Sequence, residues 1–279
     1  MSELRSPIRR ILVALDDSPS SRFAIRTAID LALRFRAQIV GLFVEDINLL
    51  RMAHLPFVRE IGLFSITPRR VDIDDLERQL RSQAERIRRV LAAAAEAHGI
   101  AWELLVKRGP VALEVMTSGA EADLMVLGRV GRSYAQRRLG ATMRSILLQR
   151  PGLTFVLSAE VPKAAPVIVL YDGSEGADQA LDIAATLVAS DDGRLSVVLI
   201  AESRVASQTL HEDASRRLAA RSVNADYRVV RHPSLEGIAW WIRTLGSGLL
   251  VLPCGGHGLQ GEGLCGLVEA VPNPILLVK

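Results

Sequence analysis

The chain has 279 residues, which at about 150 residues per domain points to two domains. Apolar residues make up 49% and charged residues 23%, a globular balance that excludes a disordered chain. The net charge is only +3, no apolar run reaches the ~18 residues that cross a bilayer, and two cysteines exclude a disulfide framework. The N-terminal ILVAL is too short for a signal-peptide core, so a cytoplasmic protein that does not span a membrane is expected.

The first predicted strand is the β-branched run ILVAL (11–15), closed by Asp16 and a serine turn, with Ser18 as candidate N-cap of a helix over 19–36. IVGLFVE (39–45) is the second strand. Next comes INLLRMAHLPFVREIGLFSITPRR (47–70), apolar but interrupted by Arg51, Arg59 and Glu60. It reads as a lid, a partner surface or a membrane-surface contact, against the plainer reading that it packs on its own domain. A helix over 73–98 ends at Gly99. A third strand in WELLVKRG precedes Pro110, which starts a helix over 110–120. ADLMVLG (122–128), a helix over 140–150 and the strand TFVLS (154–158) complete this half.

The grammar then repeats. VIVLYDGSEGADQALDIAATLV (167–188) aligns with residues 11–32, VVLIAE (197–202) with 39–45, and DYRVVRHPSLEGI (226–238) with 102–115. GLLVLP (248–253) aligns with 122–128, and ILLVK (275–279) with TFVLS. The intervening helices fall at 176–190, 208–222, 234–245 and 262–271, with Ser174 and Pro233 as start signals. The strands are continuous apolar runs, the mark of burial on both faces of a parallel sheet. The expected fold is therefore two tandem doubly wound α/β domains, residues 1–159 and 165–279, joined by a linker at 160–164. The leading repeat is longer because of the segment at about 47–70.

VALDDSPSS and VLYDGSEGA after each first strand, KRGP and RHPS after each third, and GRVGRSYAQRRLGAT after the fourth resemble the universal stress protein family in its tandem form. The resemblance covers nearly the whole chain. It implies a five-stranded parallel sheet of order 3-2-1-4-5 in each repeat, flanked by helices. It also implies that TFVLS and ILLVK face each other in an intramolecular pseudo-dimer, and it leaves a homodimer of the whole chain open. Its ATP-binding branch carries G-x-x-G, nine residues, then Gly and Ser or Thr. Glycines let backbone N–H groups approach phosphates, and the next helix offers its positive end.

In the leading repeat Gly128-Arg-Val-Gly131 is followed by eight residues and then Gly140-Ala141, so the loop is one residue short and the hydroxyl is missing. The eleven residues from Gly140 to Pro151 keep the family register and make Thr142 the substitute donor. The resemblance implies that Ala14, Leu15 and Val44 border the adenine and that Asp16 contacts the ribose or adenine side. It implies that Gly128, Arg129, Gly131, Arg132, Gly140, Ala141 and Thr142 line the phosphates, with ATP as ligand, alone or with Mg. Asp16 also has the plain reading of a turn or cap residue. In the trailing repeat Pro253 replaces the first glycine, Glu262 follows Gly261, and Leu170 and Tyr171 replace the smaller Ala14 and Leu15, so no ATP site is expected there.

Residues 1–160 hold 24 Lys and Arg against 18 acids, and residues 128–150 hold six arginines and no acid, a field suited to an anion. Aromatics at 4% are too few for base stacking, so nucleic acid is not expected as a partner. Cys254, His257 and Cys265 lack paired ligand spacing, and no metal is expected. Trp240 and Trp241 are expected in the core. No hydrolase, zincin or Walker lysine motif appears, and no catalytic residue is assigned. The expected protein is a stress-response regulator that binds an adenine nucleotide. The alternatives are an interaction module whose 47–70 segment holds a protein partner or lipid-like ligand and, third, a slow ATPase.

Overall fold

The computed structural model describes residues 8–55, 57–60, 69–70, 72–129, 139–149, 152–157, 166–189, 193–231, 234–255 and 259–279. The chain groups into two compact units, residues 1–123 and 124–279.

The first unit contains β1 (Arg10–Leu15), α1 (Pro19–Phe35), β2 (Gln38–Asp46), α2 (Ile47–Ala53), β3 (Arg59–Glu60), β4 (Arg69–Arg70), α3 (Ile73–Glu96), β5 (Trp102–Gly109) and α4 (Val111–Gly119). Its parallel strands run β5-β2-β1, the 3-2-1 half of the leading repeat. β1 and β2 bury nearly every side chain, as their unbroken apolar runs require. Gly41 lets α3 approach β2: a Cβ there would lie 2.6 Å from Leu91 Cδ2 and 2.9 Å from Leu104 Cδ1. The Asp123 carboxylate accepts from the backbone N–H groups of Arg9 and Arg10 at 2.8 and 2.9 Å, pinning the start of β1. α3 begins where Asp72 accepts from the Asp74 N–H at 2.9 Å, and Gly99 follows it with φ of 64°.

The second unit contains β6 (Leu124–Gly128), α5 (Ala141–Gln149), β7 (Leu153–Leu157), β8 (Val167–Tyr171), α6 (Glu175–Ala189) and β9 (Leu195–Ala201). It continues with α7 (Arg204–Ala219), β10 (Ala225–Arg231), α8 (Leu235–Leu245), β11 (Leu249–Pro253), α9 (Gly261–Ala270) and β12 (Ile275–Val278). The strand order is β10-β9-β8-β11-β12-β7-β6, so the trailing repeat has the complete 3-2-1-4-5 order. The fourth and fifth strands of the leading repeat, β6 and β7, pack in this unit. β7 pairs with β12 antiparallel, with Phe155 opposite Leu276. That pairing joins TFVLS to ILLVK as expected, and each repeat thereby covers the other's edge strand.

Three local expectations are corrected. The 47–70 segment begins with a helix, α2, capped by the Asp46 carboxylate on the Asn48 N–H at 2.9 Å, and its β3 and β4 pair antiparallel. Ser18 occupies the N-cap position of α1, but its hydroxyl donates to Asp16, a stronger acceptor, and does not cap the helix. Trp240 and Trp241 are not core residues: Trp240 is 55% exposed and Trp241 half-buried. The inward stripe of α8 is Ile238, Ala239 and Ile242, which leaves position 240 on the opposite face. The two indoles pack edge to face at 5.2 Å.

Candidate functional site

In the first unit the end of β1 delivers Ala14, Leu15 and Asp16. Ala14 is half-buried. The Leu15 side chain is buried among Gly41 and its neighbours, so only its backbone faces outward from the strand end. Asp16 is half-buried and organises the turn. Its Oδ1 accepts from the Ser18 N–H at 3.1 Å, from the Ser18 hydroxyl, and from the Ser21 hydroxyl at 2.7 Å. The Asp16 N–H donates to Ser21 Oγ at 2.8 Å. The plain reading of Asp16 as a turn residue is thus realised, with one carboxylate oxygen carrying that load. Val44 is half-buried on β2, in register with Lys107 of β5.

Beside this turn, α1 and α3 enclose a cleft of about 810 Å³. Asp16 and Asp17 lie at one end, Ile25, Ile87 and Val90 supply apolar wall, and Arg22 and Arg89 stand on the rim. Arg86 crosses to Asp17 at 2.7 Å. A second ion network lies at the end of β2: Arg108 donates Nε–H to Glu45 at 2.8 Å and Nη1–H to Glu77 at 3.0 Å. The two carboxylates push the Arg108 pKa above its ordinary value, and Glu45 itself is buried. Glu45 and Arg108 are register partners on β2 and β5, a relation visible only once the strands are aligned.

In the second unit Gly128 ends β6 opposite Leu157. The Arg129 backbone N–H continues the ladder to the Leu157 carbonyl oxygen at 2.7 Å. Its guanidinium donates to the carbonyl oxygens of Val271 and Glu269 at 2.6 and 2.9 Å, at the C-terminal end of α9. Partial burial lowers its pKa, and Glu269 offsets that. Arg144 binds Glu262 and lies 3.6 Å from Glu269. Both described arginines of the 128–144 stretch therefore hold α9. Gly131 and Arg132 lie outside the described residues, as do Arg137 and Arg138.

Gly140 is exposed, and a Cβ there would meet nothing within 4 Å. Ala141 follows as the exposed first residue of α5, and Thr142 is half-buried. The first turn of α5 carries no acid. α9 differs at each point. It begins at Gly261, the register counterpart of Gly140, and Glu262 stands in its first turn. Leu259, only 1% exposed, plugs the approach to that turn, while the Gln260 amide donates to the Gly255 carbonyl oxygen. Leu170 and Tyr171 are fully buried, and the Tyr171 hydroxyl donates to Asp178 at 2.8 Å.

Among the described residues no group of three His, Cys, Asp or Glu could hold a metal ion, and His257 lies outside them. Burial pushes the Cys254 thiol up to about 11 and also raises the pKa of Cys265.

The two sheets define a tandem doubly wound α/β protein whose leading repeat keeps a glycine-rich strand-to-helix loop. The universal stress protein family model matches residues 7–149, and the chain belongs to that family. A universal stress protein from Archaeoglobus fulgidus DSM 4304 has a similar structure (TM-score 0.74, 17% identity, 97% of this chain and 98% of that one covered). A putative universal stress protein from Pseudomonas aeruginosa UCBPP-PA14 matches at TM-score 0.63 and 14% identity, over 98% of this chain and 93% of that one. The cytoplasmic domain of a prokaryotic cation chloride cotransporter matches at 0.52 and 15% identity, over 97% and 95%. These likenesses concern the fold. No curated protein matches the sequence. Among the described residues no helix is long and apolar enough to cross a membrane.

Proposed function

We propose that this universal stress protein is a cytoplasmic stress-response regulator that binds one adenine nucleotide, ATP by preference, through its leading repeat. The observation that carries this reading is the contrast between α5 and α9. At α5 an exposed glycine with open space around it precedes a helix start free of acids, which suits close approach of a phosphate. At α9 the equivalent start holds Glu262, whose charge complements the helix end and repels a phosphate.

On this reading Gly128, Gly131, Gly140, Ala141 and Thr142 serve the phosphates, and Ala14, Leu15, Asp16 and Val44 serve the adenosine. Arg129 contributes backbone rather than its guanidinium, which α9 holds. Arg132 supplies a charge to the phosphate end. Mg would be carried by the phosphates, since the described residues offer no metal cluster. Nucleotide occupancy regulates only if two conformations of the protein differ in affinity for it.

The test is mass spectrometry of small molecules released by denaturing protein purified without added nucleotide, followed by titration of the stripped protein with ATP and AMP. The reading expects an adenine nucleotide in the released fraction or saturable ATP binding after stripping. Neither in folded protein overturns it.

A further inference from the structure

α2 is apolar on both of its faces, and the fold uses only one. Leu50 and Ala53, one helical step apart, turn inward and are buried. Leu49 and Met52, spaced the same way, turn outward and are 39% and 50% exposed. The exit from the helix continues the apolar surface, with Leu55 at 41% and Phe57 at 74% exposed. Four large apolar side chains within nine residues are more than scattered exposure, and packing of the first unit does not require them outward.

Charge decides what fits this surface. Arg51 and Arg59 are exposed within the same stretch, and no acid occurs between Asp46 and Glu60. α2 is about 10 Å long at 1.5 Å per residue, short for an anchor that fills a protein groove but adequate to lay one face on a surface. Outward leucine, methionine and phenylalanine flanked by arginines form the pattern of an interfacial contact with anionic lipid. We propose that the face formed by Leu49, Arg51, Met52, Leu55, Phe57 and Arg59 docks the protein reversibly on an anionic lipid surface. The apolar side chains enter the headgroup boundary while the two guanidinium groups pair with lipid phosphate and carboxylate. This inference is independent of the nucleotide reading, because none of these residues belongs to the proposed nucleotide site.

Sedimentation with vesicles tests it. The full chain is mixed with vesicles of 30% phosphatidylserine in phosphatidylcholine, or of phosphatidylcholine alone. The protein is expected to sediment with the former and not the latter, and to be released as salt rises. Each Arg→Glu change at 51 or 59 is expected to weaken binding at least fivefold, and L49S/F57S to abolish it. Both sites are exposed, and circular dichroism and a thermal melt confirm that the variants fold. Failure of folded wild-type protein to sediment with anionic vesicles overturns the proposal, as does binding that survives L49S/F57S. A wild-type dimer that L49S/F57S converts to monomer, without vesicle binding, also overturns it by showing that a second copy covers the face.

Discussion

Arg129 holds the Val271 carbonyl oxygen at 2.6 Å through Nη1, and with Nη2 it takes that of Glu269 at 2.9 Å. An arginine from the loop after β6 thus closes the last turn of α9, where helix carbonyls lack partners. This contact helps to hold the two repeats' final helices in one compact unit. Replacing Arg129 with Gln is expected to cost about 1–2 kcal/mol, the range for charge-assisted bonds reduced for partial exposure. The urea midpoint of the full chain measures it. An unchanged midpoint would show that α9 ends as well without the guanidinium.

Asp16 carries the turn into α1. Asp16→Ala removes the acceptor for the Ser18 N–H and the Ser21 hydroxyl, and the expected loss is about 1 kcal/mol. Asp16→Asn keeps an oxygen at the same place and is expected to lose less than half of that. Nucleotide affinity provides the second readout. If Asp16 also meets the ribose, Asp16→Asn weakens binding although the turn survives.

Gly41 and Gly140 are both glycines, but they resist substitution for different reasons. Gly41→Ala drives a Cβ into Leu91 and Leu104 and is expected to destabilise the protein by about 1–3 kcal/mol. Gly140→Ala meets open space and is expected to leave the melting temperature within a degree or two or to raise it slightly. Differential scanning fluorimetry on the pair distinguishes the packing role from the open one.

The Cys254 thiol, raised by burial to about 11, gives a pH dependence of defined sign. Below pH 9, the ordinary thiol value, the protonated form is shared by the folded and unfolded chains and the group's full contribution is present. Between pH 9 and about 11 the unfolded chain releases this proton first, so stability falls as pH rises. Cys254→Ser is expected to flatten that part of the stability profile. Alkylation of native Cys254 by iodoacetamide should rise about tenfold per pH unit up to pH 10.

The fold was largely legible because its strands are buried on both faces: ILVAL, IVGLFVE and VIVLY read as unbroken apolar runs between Asp or Gly punctuation. α2 was not, since its cap, Asp46, closes a strand and no glycine or proline marks its start. α7 begins at Arg204, four residues before the expected start, because the Ser203 hydroxyl accepts from the Ala206 N–H at 3.1 Å. At the site, sequence register located the start of α9 at Gly261 and the acid beside it. Sequence could not show that Arg129 and Arg144 serve α9, because their partners lie more than 100 residues away. The Arg-rich stretch read as an anion field for want of those partners. Trp240 was misplaced because a bulky apolar side chain outweighed the helical phase of its neighbours.

The central claim is that the nucleotide is held at the start of α5 and not at the start of α9. Calorimetric titration of stripped protein with ATP, for wild type and for Gly140→Glu, tests it most directly. One site per chain is predicted, with affinity reduced at least tenfold, about 1.4 kcal/mol, when a carboxylate is placed at Gly140. Two equivalent sites per chain, or an affinity that Gly140→Glu leaves untouched in folded protein, would contradict it.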